Sequence, residues 1–356
     1  MIPVRNVYYM LSYAFSALRS RGFADLADED FENADDLLAA ILARGIAQQA
    51  RRGLKREYIE RSEAVRVPRG KIDVSASVKQ VSVASRRLVC DVDEFSVNNE
   101  FNKILKTAGR KLLASNAQPK RKRELRRVLE HLRGAETVPV SQIQWKQHYG
   151  RHDQTYRMLI ALSRLILTGT LHGSTAGPNH LEQFDEEDMH VLYERFVREY
   201  FRREHGDRVD VRAALVPWAL DDGEQGLLPS MRTDVMLTPK DPSCGRVLII
   251  DTKWYADNLQ TYYGAQRLRS QHLYQMFAYV KNKEEALLRS GDSKEVSGLL
   301  LYAQTDDEKQ PLGTHRIAGN EFSVATLDLA ANFAGIRTQL DDIVAGLLEP
   351  CQFQRP

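Results

Sequence analysis

The sequence predicts a mixed α/β (α+β) protein of two domains, the second built on a mixed sheet flanked by helices. Three observations carry this. The 356 residues suffice for two domains. From residue 186 onward the hydrophobic pattern runs helix, strands, helix, strand, helix, the order of a mixed sheet with helices on its faces. A Gly/Ser/Pro/Asn-rich stretch, GTLHGSTAGPNH at 169–180, separates that run from a first part in which element types are mixed. We divide the chain into 1–170 and 171–356.

The first part reads as follows. Residues 7–20 place aromatics and aliphatics on one helical face, and 36–52, DLLAAILARGIAQQARR, give a second helix. In EAVRVPRGKIDVSASVKQ, Pro68 and Gly70 mark a turn between two ordered pieces. RRLVCDVDEFSV alternates apolar and polar residues as a strand does, and NNEFNKILKTAGRKLLA is an amphipathic helix. PKRKRELRRVLEHLR follows as a basic helix with Leu125, Val128, Leu129 and Leu132 on its apolar side; its charges could contact phosphates, but a solvated face is the favoured reading. Residues 154–168 form a strongly apolar helix.

In the second part, 186–204 is a helix with Leu192, Phe196 and Tyr200 at helical spacing. VDVRAALVPWAL reads as a strand, LPSMRTDVMLT as a strand containing Asp234, DPSCG as a tight turn, and RVLIIDTKWY as the next strand. AQRLRSQHLYQMFAYVKNK is a helix, VSGLLLYAQ and FSVATLDL are strands, and NFAGIRTQLDDIVAGLL closes as a helix.

Composition excludes several classes. With 50 Lys+Arg against 48 Asp+Glu the net charge is only +2, so any nucleic-acid surface must be local. Cys90, Cys244 and Cys351 are odd in number and lack zinc spacing, which fits a reducing compartment. No apolar run reaches the length of a membrane span, and the apolar start MIPVRNVYYMLSYAF is broken by Arg5 and Asn6, so it reads as a folded element and not a signal peptide. Cytoplasm is the expected compartment. Arg5 and Asn6 are expected to tie the first helix to the N-terminal core. His148 and His152 have no acid cluster beside them; we find no H-E-x-x-H, no G-x-S-x-G, and no G-x-x-x-x-G-K-[ST] phosphate loop.

The chemistry concentrates in RVLIIDTKWY. On a strand, Asp251 and Lys253 point to one face and Thr252 to the other. That pair is equally an ion pair closing a strand. Asp234 lies on the preceding strand, joined by the short PKDPSCG turn, so antiparallel pairing brings it near Asp251. Two such carboxylates repel unless a cation intervenes. Asp234, Asp251 and the Thr252 carbonyl are hard oxygen ligands for Mg²⁺, or for Mn²⁺, and Lys253 is placed to orient or deprotonate a water, a set suited to phosphodiester hydrolysis.

Asp, a variable gap, then Asp-x-Lys at a strand end resembles the PD-(D/E)xK nuclease motif, although Arg232-Thr233 stand where a proline is usual. The resemblance implies a restriction-endonuclease-like fold. It also implies that Glu194, in LYERFV of the preceding helix, completes the site. Gln275-x-x-x-Tyr279 resembles the Gln-x-x-x-Tyr element of RecB-type nucleases; each residue alone reads as a surface amide and a core ring. Beyond these, IPVRNVYYMLSYAF, RGKID at 69–73, CDVDEFSVNNEFNKILK at 90–106 and LLPSMRTDVML…LIIDTKWY…SQHLYQMFAYV together look like McrC, the nuclease subunit of McrBC modification-dependent restriction systems. The match is weakest over 107–150.

The resemblance implies a division of labour. The N-terminal domain would dock on a hexameric McrB-like AAA+ GTPase and stimulate it. The C-terminal domain would cut methylated double-stranded DNA, a 5-methylcytosine-dependent restriction. Whether PRGKID is a docking tip or an ordinary turn stays open. Two other readings remain: a non-catalytic adaptor that activates an AAA+ partner, and a stand-alone repair nuclease of the RecB type.

Overall fold

The computed structural model describes residues 2–349 apart from 21, 24, 27, 28, 80–85, 152, 170–185, 263 and 264. The expected linker at 169–180, beyond Gly169, lies outside the described residues, as do His152 and Cys351. In chain order the elements are α1 (Val4–Ala14), α2 (Ala34–Arg52), β1 (Glu57–Val65), β2 (Lys71–Ile72), α3 (Val74–Lys79), β3 (Leu88–Ser96), α4 (Glu100–Ala114), α5 (Pro119–Leu129), α6 (Gln154–Thr168), α7 (Glu186–Glu204), β4 (Val209–Arg212), β5 (Leu215–Val216), β6 (Met231–Arg232), β7 (Val235–Pro239), β8 (Arg246–Lys253), β9 (Gln260–Tyr262), β10 (Ala265–Arg267), α8 (Ser270–Arg289), β11 (Glu295–Ala303), β12 (Gly313–Ile317), β13 (Asn320–Leu327) and α9 (Phe333–Leu348).

The chain folds as two compact units, Met1–Ser16 with Asn179–Pro356, and Ala17–Pro178. The first helix therefore leaves the residues that follow it, against the expected 1–170 grouping. Asn6 explains why. Its Nδ2 donates to the carbonyls of Leu329 (2.7 Å) and Ala331 (2.8 Å). Tyr9 stacks on Phe333 at 4.1 Å, and Tyr13 donates to Glu204 at 2.8 Å. The expectation that Asn6 serves the N-terminal core is corrected: it ties α1 to the C-terminal unit.

The unit of 17–178 pairs a helical layer with a small sheet. Leu37, Ile41, Leu105, Leu125, Leu159 and Leu162 are almost wholly buried among α2, α4, α5 and α6, each such side chain contributing about 1.5–3 kcal/mol by leaving water. Asn33 and Asn99 cap α2 and α4 by accepting from Asp36 N and Asn102 N. The sheet has the order β1-β3-β2 and is antiparallel throughout. The turn before β2 needs Gly70: its φ is +74° and a Cβ there would lie 2.2 Å from the Asp91 carbonyl oxygen.

The other unit holds a six-stranded mixed sheet, β12-β13-β11-β8-β7-β4. β8 and β13 run parallel to β11, while β12, β7 and β4 pair antiparallel with their neighbours. This is the mixed sheet flanked by helices that the sequence predicts. β8 lies between β11 and β7 and is largely buried, which is why VLII, residues 247–250, is a continuous apolar run. α8 packs closely on β11: a Cβ on Gly298 would lie 2.6 Å from Met276 Sδ.

Four elements differ from the sequence reading. The strand expected over 209–220 divides into β4 and β5, and the strand expected around Asp234 divides into β6 and β7. The cause is one hairpin serving two sheets: β4 and β7 pair in the large sheet, β5 and β6 in a separate ribbon. The chain crosses between them at Ala214 and Thr233, where Thr233 N donates to Ala214 O (2.9 Å) and Ala214 N donates to Thr233 Oγ1 (3.2 Å). Residues 265–267, expected as the start of a helix, instead pair with β9 as a hairpin, and the helix begins at Ser270. β12 was not foreseen; it is an exposed edge strand and carries no alternation of burial. Among the described residues no helix is long and apolar enough to cross a membrane.

Candidate active site

The site forms where β8 ends. Asp251, Thr252 and Lys253 are 2 %, 0 % and 6 % exposed, so all three remain buried at the polar end of an apolar strand. Alternation puts Asp251 and Lys253 on one face, and Lys253 Nζ lies 2.5 Å from Asp251 Oδ2. That contact is an ion pair without hydrogen-bond angles, and Asp251 Oδ2 accepts no hydrogen bond among the described residues.

Asp234 arrives from the break between β6 and β7, not from within a strand. The pairing Val235↔Ile250 continues by one step to set Asp234 across from Asp251. Its Oδ2 accepts from both Thr252 N and Thr252 Oγ1, each at 2.7 Å. The crossing between sheets thus has a use: it frees Asp234 from the ladder so that its carboxylate reaches over β8.

α8 supplies the next layer. Lys253 Nζ donates to Gln275 Oε1 at 3.2 Å, Gln275 Nε2 donates to Tyr279 OH at 2.9 Å, and Tyr279 OH donates to Arg232 O at 3.1 Å. The final carbonyl fixes the sense of the whole chain. Because it only accepts, the tyrosine hydroxyl must donate to it; that hydroxyl then accepts from the amide nitrogen, and the amide oxygen turns toward the lysine.

α7 supplies the third side. Glu194 lies close enough for its charge to act on Asp251, but its own carboxylate is paired with Arg198 one turn later. Arg198 also donates to Asp234 O at 3.3 Å. His190, one turn before Glu194, contacts Thr252 O through Nε2 at 2.8 Å. Sequence reasoning missed His190 and Arg198. The signal was present: 190, 194 and 198 recur every four residues, a polar stripe on a helix whose other faces bury Tyr193, Phe196, Val197 and Tyr200.

The structure thus brings together Asp234, Asp251, Lys253, Gln275 and Tyr279, with Glu194 beside them. One expectation is qualified by geometry. The Thr252 carbonyl, expected among the metal ligands, is already engaged by His190, leaving its second lone pair.

Burial raises the proton affinity of both acids. For Asp234 the next cause is the negative charge of Asp251, opposed by the two Thr252 hydrogen bonds and by Lys253. For Asp251 the nearby Lys253 and His190 oppose burial, and Glu194 adds to it. His272, at the start of α8, is pushed down to about 4, first by burial and then by the cations Lys253 and Arg269. It is therefore neutral at pH 7 and lies against the hydroxyls of Tyr302 (2.8 Å) and Tyr255 (3.2 Å).

Does this set fit a divalent cation? Among the described residues no three His, Cys, Asp or Glu side chains gather as a metal-holding group. The two carboxylates outnumber the single lysine, which pairs with Asp251 alone. Mg²⁺ takes only one or two protein carboxylates and completes its shell with water and substrate phosphate. The donors are of the right type and number for that mode.

A stability prediction follows for Asp234→Asn. The amide keeps an acceptor for Thr252 and removes the repulsion with Asp251. A carboxyl whose folded-state pKa is raised costs stability as pH rises from its ordinary value near 4 to the raised value, and that cost persists above it. Metal-free Asp234→Asn is therefore expected to melt higher than the wild-type chain at pH 7, with the gain shrinking to nothing below pH ~4. Thermal melts in a chelator across that range check it; a lower melting temperature at pH 7 contradicts the assignment of Asp234.

Comparison with known proteins gives the following. Residues 4–302 match the family model described as McrBC 5-methylcytosine restriction system component. The chain is 27 % identical over 354 residues to the type IV methyl-directed restriction enzyme EcoKMcrBC of Escherichia coli K12, covering 96 % of this chain and 97 % of that protein. Among solved structures, a half-complex of Thermococcus gammatolerans McrB AAA+ hexamers with bound McrC is similar at a TM-score of 0.46 and 16 % identity, covering 96 % of this chain and 76 % of that one. The T. gammatolerans McrBC complex is similar at 0.41 and 19 % identity, over 56 % of this chain and 58 % of that one.

Proposed function

Because the chain belongs to the family of McrBC 5-methylcytosine restriction system components, we propose that it is the endonuclease subunit of such a system and hydrolyses DNA phosphodiesters at the Asp234–Asp251–Lys253 site. The observation that carries this is two neighbouring carboxylates, Asp251 buried and Asp234 half-buried, both with raised proton affinity, beside one lysine that pairs with Asp251. A scaffold gains nothing from such an arrangement; an amide at either position would be less costly to bury. Function is the reason to keep it.

Asp234 and Asp251 would hold Mg²⁺ (or Mn²⁺), with Thr252 O as a third contact. When bound, the cation polarises a phosphoryl oxygen and lowers the pKa of a water. The chain's own residues do the rest. Asp251 and Gln275 Oε1 hold Lys253 Nζ from two sides, so the ammonium is fixed before substrate arrives. From there it neutralises charge developing on the phosphoryl oxygens. Tyr279 fixes the Gln275 amide, and His190 fixes the strand end through Thr252 O.

The partner belongs to the same proposal. The E. coli relative is described as a methyl-directed restriction enzyme, and the T. gammatolerans assembly as McrB AAA+ hexamers with bound McrC. We assign an McrB-like AAA+ GTPase as partner and methylated duplex DNA as substrate. These 356 residues hold no G-x-x-x-x-G-K-[ST] phosphate loop, which agrees with assigning the motor to that partner. In the unit of 17–178 the small sheet leaves Tyr58, Ile72 and Phe95 exposed, with Tyr58 and Phe95 directly paired across β1 and β3, and Val67 and Val74 beside it are exposed too. Such a patch supports a protein-docking role for that sheet.

The test is a cleavage assay on methylated and plain duplex with Mg²⁺ and GTP. We expect cutting of methylated DNA only when the AAA+ partner is present. Cutting by the chain alone, indifferent to methylation, would favour a stand-alone repair nuclease; no cutting with an active partner would favour an adaptor.

A further inference from the structure

A second polar feature lies in the unit of 17–178. α2 and α5 flank a cleft of about 600 Å³ whose wall carries Arg44, Arg51, Lys120, Arg121, Arg127 and His131. Two carboxylates, Glu29 and Glu124, lie in the same wall, and both are already engaged. Glu29 pairs with Arg44 (2.6 Å) and with Arg121, and Glu124 pairs with Arg121 (3.3 Å). Arg51, Lys120 and Arg127 are exposed and form no ion pair among the described residues. Arg51 makes only a long contact, 3.4 Å, to Ala47 O one turn back.

The acids therefore fix the inner arginines and leave an outer row of unmatched cations. Lys120, Glu124, Arg127 and His131 recur at helical spacing, so one face of α5 and its extension carries them all. From Lys120 to Arg127 the helix rises about 10 Å, and that length of duplex carries about six phosphate charges. Apart from His131, no aromatic side chain lines the cleft, so it offers no platform for a free base or an unstacked strand. An open row of cations with no stacking surface suits a double-helical backbone.

We propose that this cleft binds the phosphate backbone of duplex DNA at a distance along the chain from the acids of the cleavage site. The choice of duplex rests on the proposed function; the charge pattern itself stands without it. The contact carries no sequence information and adds affinity and register only.

The experiment uses the full chain in a chelator, so that no cleavage enters, with a fluorescent 30-base-pair duplex read by anisotropy across NaCl concentrations. The triple variant R51A/K120A/R127A alters exposed side chains and is checked by circular dichroism. It is expected to weaken duplex binding at least tenfold at low salt. The slope of log affinity against log salt should become shallower by about 0.9 per lost phosphate contact. R51K/R127K should retain both slope and affinity. An unchanged slope in the triple variant overturns the proposal and returns α5 to a solvated face. So does unchanged duplex binding with lost association to the AAA+ partner, or with lost binding of free GTP, each assigning the cleft to another anion. Normal metal-free binding by a wild-type chain that never cuts would sink the function above and leave this inference standing.

Discussion

Asp251→Asn abolishes DNA cleavage while stimulation of the partner GTPase is unchanged. The side chain is nearly isosteric, so β8 keeps its packing between β7 and β11. What changes is charge. Asp251 is the one acid in contact with Lys253, so its loss removes both a proposed cation ligand and the lysine's anchor. Several kcal/mol of transition-state stabilisation depend on a bound cation, and about 1.4 kcal/mol is tenfold in rate, so the expected loss is at least about 10³-fold. GTPase stimulation serves as the control because we assign docking to the unit of 17–178, whereas Asp251 belongs to the other. Single-turnover cleavage with saturating partner measures the first quantity and steady-state GTP hydrolysis the second. Normal cutting by this variant would show the site assignment to be wrong.

Lys253→Ala gives the second-largest effect, a loss of about 10²–10⁴-fold, the range for removing one positioned catalytic group. It also tests the electrostatics. Removing the lysine leaves Asp251 without its ion-pair partner beside Asp234, and breaking such a buried pair costs about 3–5 kcal/mol unless a proton or metal replaces it. The variant should therefore melt lower than wild type in a chelator and regain stability as pH falls toward the range where the acids protonate. Lys253→Met, which keeps the stem and drops the charge, separates this from lost packing. Equal cleavage by both variants and the wild type would remove the lysine from the mechanism.

Much of the site is legible in the sequence because strand alternation is a rigid rule. Asp251 and Lys253 share a face wherever β8 is placed, and a short turn obliges Asp234 to return beside them. Other parts are hidden for physical reasons. The break at Thr233–Asp234 follows from β6 leaving one sheet for another, a long-range choice that LPSMRTDVMLT does not record. The β9–β10 hairpin has the polar residues of a helix start. His190 announces itself only through helical spacing relative to Glu194, and its partner, Thr252 O, is a backbone atom that leaves no trace in composition. The docking of α1, which packs on α7 and stacks Tyr9 on Phe333 of α9, also rests on Asn6 reaching two carbonyls more than 300 residues away along the chain, at Leu329 and Ala331.

The central claim is that two acids and a lysine at the end of β8 form one cation-dependent centre. Isothermal titration of the full chain with Mn²⁺ in the presence of uncleavable duplex tests it most directly. The account predicts saturable binding in the wild-type chain that is lost in Asp251→Asn and in Asp234→Asn. Binding that survives both substitutions, or none in the wild type, would contradict it.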